Sequence, residues 1–272
     1  MKIVVCIKQV PDTTDIKWTE NNTIQREGVE SIINPFDEYA IETAIRLKEK
    51  YGAEITAVTM GPPQAEEILR KAIALGCDNA FLVSDKKFSG ADTVATSRTL
   101  SAAIKEKISD YDLIICGQFA VDGDTAQTGP SIAEKLQIPQ VTYVTEIVGL
   151  EDGFLTVKKE IEDGLETVKM QLPGLICMQK CSYELRPATI GGYVKAQLAE
   201  ILMHNLESLN IDASEVGIKG SPTYVSKAFR PEQKKRGEII EPESVLEGVE
   251  FLISKIMVEE PSQVEQAETS ET

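Results

Sequence analysis

The stretch LIICGQFAVDGDTAQTGP, residues 113–130, decides the fold prediction for this chain of 272 residues. Its first four residues form an apolar run that is typical of a strand buried on both faces of a parallel sheet. Gly117 and Gly123 follow, and Thr125 to Gly129 leads into a predicted helix. A strand, a glycine-bearing turn and a helix start present free backbone N–H groups to an anion, usually a phosphate. Because the chain contains neither GxGxxG nor GxxxxGK[ST], the loop alone is equally compatible with a nucleotide site and with an ordinary strand-to-helix connection.

The chain around this stretch alternates strands and helices, which predicts a doubly wound, mostly parallel, Rossmann-like α/β sheet. In such sheets ligands bind at the carboxyl ends of the strands, where the strand order reverses. The turns that would meet at this edge are residues 7–10, 59–62 and 116–129, with the helix start at 34–38 nearby. Apolar runs predict strands at 2–7, 54–60, 80–83 and 113–116, and helical spacing predicts helices at 34–51, 65–75, from Asp92 or Thr93, and at 130–137.

The second half of the chain has a different pattern. Residues 140–179 predict antiparallel hairpins that extend the sheet, and Pro173 fits an edge strand or a strand start. The stretch 183–196 predicts an irregular loop that exposes Arg186, Tyr193 and Lys195. We expect three parts: an α/β domain at 1–196, a C-terminal arm at 197–257 that packs on a partner chain, and a disordered acidic tail at 258–272. Within the arm, residues 241–257 predict one amphipathic helix. Residues 12–33 predict a short hairpin or loop. Lys234, Lys235 and Arg236 form a basic run, and the sequence leaves its role open.

Composition argues against several classes of protein. A formal net charge of −16 disfavours nucleic acid and anionic membrane as partners. With one histidine, His204, and five cysteines without a CxxC motif, a zinc site is not expected, and a Ser-His-Asp hydrolase would need that single imidazole. Neither a signal peptide nor a membrane span is recognisable, so we expect a cytoplasmic protein with reduced, buried thiols.

Three blocks together resemble the β-subunit of electron transfer flavoproteins. They are NPFDEYAIETAIRLKE (34–49), DTAQTGP (124–130) and VKKEIEDGLETVKMQLPGLIC (157–177), and the similarity runs from Lys2 to about Lys195 and more loosely to 257. The resemblance implies a heterodimer with a larger, flavin-carrying α-subunit, and an adenine nucleotide in this subunit. That nucleotide is AMP in conventional members of the family and a second FAD in the electron-bifurcating members of anaerobes.

Two features are similar to the bifurcating branch: the glycine-containing loop VDGDTAQTGP, and Asp37, where mitochondrial-type members carry a cysteine. This resemblance implies that the subunit binds FAD and that NADH donates a hydride to it. One electron would pass to ferredoxin or flavodoxin, and the other would pass through the α-subunit FAD to an acyl-CoA dehydrogenase. It also implies that the helix bearing Asp92 and Arg98 lies near an isoalloxazine, where Arg98 would favour anionic reduced flavin. A solvent-exposed helix cation is the alternative for Arg98.

The residues that the resemblance assigns fall into two sets, and neither contains a catalytic side chain or a metal ligand, because the flavin would carry the chemistry. The first set surrounds the nucleotide, with Thr125–Thr128 at the phosphates: Lys8, Gln9, Val10, Asn34, Phe36, Asp37, Thr59, Met60, Gly61, Thr93, Thr96, Gly117, Asp122, Gly123, Asp124, Thr125, Ala126, Gln127 and Thr128. The second set matches the family's recognition loop for the partner dehydrogenase: Tyr183, Leu185, Arg186, Pro187, Ile190, Tyr193 and Lys195.

Alternatives from other functional classes remain open. A conventional β-subunit would bind structural AMP and serve as a one-electron shuttle partner. A nucleotide-binding regulatory module without redox work would have a similar fold. An ATP-using transferase is weakened because the chain has no phosphate-loop lysine and no clear metal-carboxylate cluster.

Overall fold

The computed structural model describes residues 1–12, 31–226, 237 and 239–258. The chain divides into two compact units, with the boundary between residues 228 and 229. Some sequence-based predictions concern stretches outside the described residues: 13–30 of the predicted hairpin or loop, the basic run Lys234–Arg236, and 259–272 of the acidic tail. The predicted domain boundaries at 196 and 257 stay predictions.

The first unit is organised on a nine-stranded sheet. The strands of the described residues are β1 (Lys2–Cys6), β2 (Gln9–Pro11), β3 (Ser31–Ile33), β4 (Glu54–Met60), β5 (Asn79–Val83), β6 (Leu113–Gly117), β7 (Gln140–Glu151), β8 (Phe154–Ile161), β9 (Gly164–Gln171), β10 (Gly174–Met178) and β11 (Leu202–His204). The order across the sheet is β11-β5-β4-β1-β6-β10-β7-β8-β9, while β2 and β3 pair in a separate antiparallel ribbon.

Pairing from β11 to β7 is parallel, and β7, β8 and β9 pair antiparallel. The predicted doubly wound sheet with an antiparallel extension is therefore confirmed. The helices are α1 (Pro35–Tyr51), α2 (Glu66–Leu75), α3 (Thr93–Lys107), α4 (Thr128–Leu136), α5 (Ile190–Leu198) and α6 (Val245–Val258), with short 3-10 turns at Pro63–Ala65, Lys86–Phe88 and Glu207–Leu209.

Helices cover both faces of the parallel strands, which explains their uninterrupted apolar runs. The side chains of one face pack with α1, α2 and α5, and those of the other face pack with α3 and α4. In β6, Ile115 belongs to the first of these cores and Ile114 to the second, and both side chains are fully buried. Burying a side chain of this size stabilises the folded state by roughly 1.5–3 kcal/mol. Because β6 buries such side chains on both faces, it contributes to the packing of both helix layers.

The hairpins of the extension form at the predicted turns. Asp152 and Gly153 both have positive φ, 51° and 76°, as a tight turn between right-twisted strands requires. Gly164 opens β9 at φ 150°. Two register shifts in β7, between Val144 and Glu146 and between Ile147 and Gly149, bend this long strand from the parallel part into the hairpin.

The position of β10 corrects one prediction. Pro173 was compatible with an edge strand or a strand start, but β10 lies inside the sheet between β6 and β7, so the edge assignment is wrong. Proline is tolerated because it precedes the ladder, which begins at Gly174, whose N donates to Asp112 O (3.2 Å).

The stretch 183–196 also differs from its prediction as an irregular loop, because residues 190–198 form α5. Gly191 and Gly192 suggested a loop, yet Gly192 serves helix packing: a Cβ there would overlap the carbonyl oxygen of Ala74 on α2. The Thr189 hydroxyl caps the helix by accepting a hydrogen bond from Gly192 N (3.0 Å).

The second unit, as far as it is described, contains α6, which confirms the predicted amphipathic helix with slightly shifted ends. Its apolar side chains include Val249, Leu252 and Ile253, which are exposed in the single chain.

Truncating the centre of the sheet should measure its contribution to stability. We expect Ile115→Ala to lower the free energy of unfolding by about 2–5 kcal/mol, because it leaves a cavity between β6 and α1. Leu165→Ala on β9, where the side chain is 63% exposed, should change it by less than about 0.5 kcal/mol. Urea unfolding of both variants is the measurement, and equal losses would contradict this account of the core.

Candidate functional site

The predicted turns do meet at one edge of the sheet. β1 lies between β4 and β6, and Cys6 near its carboxyl end is in register with Val58 and with Cys116. The chain passes from β1 to β4 and β5 on one side, then returns to β6 on the other, so the order reverses next to β1. This is the position at which doubly wound sheets bind ligands.

The N-terminus of α1 holds the ends of β1 and β6 together. Asp37 Oδ2 accepts a hydrogen bond from Lys8 N (2.7 Å), and Asp37 Oδ1 accepts one from Gly117 N (3.1 Å). Position 117 has to be glycine, because a Cβ would overlap this carboxylate and lie 2.8 Å from Asp37 N. One buried carboxylate thus bridges the two strands that flank the switch in strand order.

Asn34 fixes the loop that follows β6. Its side-chain Nδ2 donates to Phe119 O (2.9 Å), and its Oδ1 accepts from Val121 N (3.1 Å). Asn34 directly precedes α1, but its side chain makes no capping hydrogen bond to the helix. The Phe36 ring packs on the Phe119 ring with centroids 4.1 Å apart, so the same helix start holds the loop through apolar contact as well.

The environment of Asp37 disfavours its charge. Burial raises the pKa of Asp37 to about 7, although the hydrogen bonds from Asn34, Lys8 and Gly117 and the Lys8 charge oppose this rise. The two N–H donors need an acceptor at this place, so the carboxylate keeps its geometric role in either protonation state.

The loop between β6 and α4 has a backbone shape that its residues do not favour on their own. Asp124 and Ala126 have φ values of 49° and 53°, in the left-handed region, which costs an L-residue roughly 1–2 kcal/mol. Aspartate visits this region routinely, whereas alanine seldom does. Gly123 between β6 and α4 has open space among the described residues, since a Cβ there would meet none of their atoms within 4 Å. Strain of this kind concentrates at ligand-binding loops.

The helices α3 and α4, which both begin at this edge, differ in how their first N–H groups are used. At α3, the Asp92 carboxylate accepts from Val94 N (2.9 Å) and Ala95 N (3.0 Å). At α4, Gln127 precedes the helix without a side-chain capping bond. An anion would therefore find a carboxylate at the start of α3, but uncapped N–H groups and the positive end of a helix dipole at α4.

Charges around the start of α4 are neutralised locally. Asp122 accepts from Lys8 Nζ (2.6 Å), so its carboxylate is turned towards a cation. The thiols of Cys116 and Cys177 lie in register below the helix, and burial helps to raise the pKa of Cys177 to about 12. Its hydrogen bond with Cys6, together with burial, raises the pKa of Cys116 as well. Both thiols are therefore neutral at physiological pH, and both are buried, as predicted, and form no disulfide.

The remaining residues of the predicted nucleotide set lie around the same edge. Thr93 Oγ1 donates to Gln127 Oε1 (3.2 Å), which joins the starts of α3 and α4. The side chains of Val10 and Thr59 are buried in protein, so they offer a ligand at most their backbone. Gln9, Met60, Gly61, Thr96, Ala126 and Thr128 are half-buried, whereas Thr125 and Gln127 are exposed.

Two features of this edge were not predicted from the sequence: the Phe119 ring and the ion pair between Lys8 and Asp122. Phe119, which carries the ring contact to α1, was not assigned, although an aromatic residue just after a buried strand could have drawn attention. The pairing of Lys8 with Asp122 spans 114 residues of sequence, and no local pattern indicates it.

Arg98 donates to Glu215 O (3.0 Å) and lies 3.9 Å from the Glu215 carboxylate, so its cation is engaged by the protein.

The predicted partner segment combines anchored and exposed residues. Ile190 and Tyr193 on α5 are 86% and 60% exposed. Arg186, expected to be exposed, instead binds the carboxylates of Glu42 and Glu49 on α1. Of the other predicted partner residues, Leu185 packs against the core and Tyr183 lies under the Arg46 guanidinium. Lys195 Nζ donates to Cys77 O, and Pro187 is exposed.

Metal and membrane signals are lacking in the part of the chain that the structure describes. There, no cluster of three His, Cys, Asp or Glu residues could hold a metal ion. In the same residues, no helix combines the length and the apolar character that a membrane span needs.

Comparison with known proteins identifies relatives along nearly the whole chain. The family described as "Electron transfer flavoprotein domain" matches residues 21–201. The "Electron transfer flavoprotein subunit beta" of Clostridium acetobutylicum is 44% identical over 260 residues, which is 95% of this chain and 99% of that protein. The "Caffeyl-CoA reductase-Etf complex subunit CarD" of Acetobacterium woodii is 44% identical over 258 residues, 94% of this chain and 98% of the relative. The "Acryloyl-CoA reductase electron transfer subunit gamma" of Anaerotignum propionicum is 44% identical over 264 residues, which is 94% of this chain and 98% of that protein.

The buried carboxyl of Asp37 should give stability a characteristic pH dependence. Between its ordinary pKa of 3.8 and about 7, the folded state holds a proton that the unfolded state has lost, so stability falls as pH rises. Relative to Asp37→Asn, we expect the wild type to lose roughly 2–3 kcal/mol between pH 5 and pH 7, and little more above pH 8. Urea unfolding at each pH is the measurement, and parallel curves for the two proteins would contradict it.

Proposed function

The chain belongs to the β-subunits of the electron transfer flavoprotein family, and on that premise we propose that it binds FAD at the edge described above and bifurcates electrons from NADH. The observation that carries the nucleotide part is the loop at 117–128. It ends at the uncapped N-terminus of α4, with Asp122 turned away towards Lys8. A pyrophosphate bound there would receive backbone N–H groups without facing an unpaired carboxylate from Asp122.

The choice of FAD over AMP rests on the loop and on Asp37. The space around Gly123 lets the backbone approach a large ligand, because no atom of the described residues lies within 4 Å of a Cβ there. Asp37 adds the link between Lys8 and Gly117 that a cysteine, which has one weak acceptor atom, would not supply in the same way. Two relatives that are named as electron-transfer subunits of caffeyl-CoA and acryloyl-CoA reductase systems support a redox role.

In this proposal the cofactor carries out the redox chemistry, and the protein binds and orients the cofactor. A flavin bound here would supply the hydride and single-electron chemistry, accepting a hydride from NADH. The chain itself would bind the phosphates at Thr125–Thr128 and orient the adenosine between the turns at 8–10, 34–37 and 59–61. One electron would pass to ferredoxin or flavodoxin, and the other through the FAD of the α-subunit to an acyl-CoA dehydrogenase that docks at α5.

The cofactor content of the heterodimer tests the central claim. We expect the complex of this chain with its α-subunit to release two FAD per heterodimer on denaturation, measured by absorbance and by separation of the released nucleotides. One FAD with one AMP would sink bifurcation and leave the conventional one-electron shuttle, which is the second candidate function.

The same preparation addresses the regulatory alternative. A non-redox nucleotide-binding module would purify as a colourless chain that is stable alone. A yellow partner chain recovered at equal stoichiometry would count against that alternative.

A methyl group at position 123 probes the ligand directly. Because the added Cβ meets no atom in the part of the chain that the structure describes, Gly123→Ala should leave stability within about 0.5 kcal/mol of the wild type. If the backbone approaches a pyrophosphate there, the affinity for FAD should fall about tenfold, a loss of about 1.4 kcal/mol. Gly149→Ala on β7, which also meets no atom within 4 Å, is the matched control for FAD titration. Unchanged affinity in the Gly123 variant would remove this residue from the site.

A further inference from the structure

One arginine fastens the segment that leads into α5 onto the middle of α1. Arg186 Nε donates to Glu42 Oε2 (2.9 Å), and Arg186 Nη2 donates to Glu42 Oε1 (3.0 Å). The outer edge of the same guanidinium binds Glu49, about two turns further along α1, through Nη1 and through Nη2 (3.1 Å). A planar guanidinium held by two carboxylates has little orientational freedom, which fixes the backbone around residue 186 as well.

The inner carboxylate of this clamp is buried. Glu42 is 1% exposed, and a second arginine, Arg46, donates to its Oε1 (2.8 Å). Burial would raise the pKa of Glu42, but its hydrogen bonds and ion pairs with Arg186 and Arg46 hold it below its ordinary value. Arg46 also lies over the Tyr183 ring, 4.1 Å from its centroid, so the segment is fastened at residues 183 and 186.

The helix that follows has its own, separate attachment to α2. Arg70 Nη1 donates to Ala196 O (2.6 Å) and to Ala199 O (3.3 Å), and Lys195 Nζ donates to Cys77 O (3.0 Å). The close contact at Gly192 and the buried Ala196 complete this attachment. Loss of the clamp at residue 186 would therefore free the leading segment without detaching the body of α5.

The outer face of α5 is apolar and exposed. Ile190, Tyr193, Val194 and Leu198 follow one another at helical spacing on this face. Its first exposed residue, Ile190, comes four positions after Arg186, so the clamp determines how the leading end of the apolar face is presented.

We propose that Arg186 is a positioning residue for the electron-transfer partner: by clamping residues 183–189 on α1, it preorganises the N-terminal end of the α5 docking face. The proposal rests on the proposed function, in which an acyl-CoA dehydrogenase docks at α5. Preorganisation strengthens binding by removing the entropy cost of ordering the segment at each encounter. It should therefore affect the apparent affinity for the partner and leave the electron-transfer chemistry unchanged.

The test uses the intact heterodimer with its bound cofactors, chemically reduced, and a purified acyl-CoA dehydrogenase that the wild-type heterodimer reduces. For Arg186→Gln we expect the KM for the dehydrogenase to rise about tenfold, with kcat within about twofold and the cofactor content unchanged. Arg186→Lys keeps the charge but lacks the fork, and should recover part of the loss. Lys71→Gln, which breaks an exposed ion pair with Glu67 on α2, is the matched control and should behave as wild type.

Hydrogen exchange at residues 183–189 provides the structural readout, and it should accelerate in Arg186→Gln while α5 stays protected. Faster exchange with an unchanged KM would overturn the proposal, and so would loss of cofactor or of the whole fold, since the clamp would then serve stability alone. Ile190→Asp separates this proposal from the proposed function. If Ile190→Asp raises the KM while Arg186→Gln does not, only the clamp fails; if neither raises it, docking at α5 fails too.

Discussion

The site depends on one carboxylate shared by two strands. Asp37, at the start of α1, accepts N–H donors from Lys8 and Gly117, the residues at which β1 and β6 give way to their loops. The arrangement is possible because position 117 lacks a side chain and lets the helix approach. Burial makes the ionised carboxylate unfavourable, so the protein keeps a costly group where it organises a site, as functional sites often do.

Local electrostatics at this edge differ from those of the whole molecule. The chain carries a formal net charge of −16, which would repel a phosphate from a distance. Near the start of α4, however, Asp122 is paired with Lys8, the strand-end thiols are neutral, and the helix dipole presents its positive end. Short-range donors in a partly desolvated place outweigh a diffuse charge that salt screens within about 8–10 Å.

The sheet was predictable from sequence because strands buried on both faces are mostly apolar, as β1, β4 and β6 are. The predicted site turns were also found at one edge, since parallel strands bring their carboxyl ends together. Long-range choices were not readable: the place of β10 between β6 and β7, and the pairing of Lys8 with Asp122, depend on residues far apart in the chain. In α5, Gly192 is a packing residue and not a loop residue, a distinction that only its contact with α2 reveals.

The late position of β10 in the chain has a consequence for biosynthesis. During translation, β1, β4, β5 and β6 emerge first and can pair, because β4 and β6 both find β1, and β5 finds β4, among earlier residues. β6 then has one edge without a partner until residues 174–178 leave the ribosome, and β7 cannot join the growing sheet before them. Unpaired edges of this kind invite association with other chains. The nascent chain is therefore most exposed to aggregation between the synthesis of residue 117 and that of residue 178.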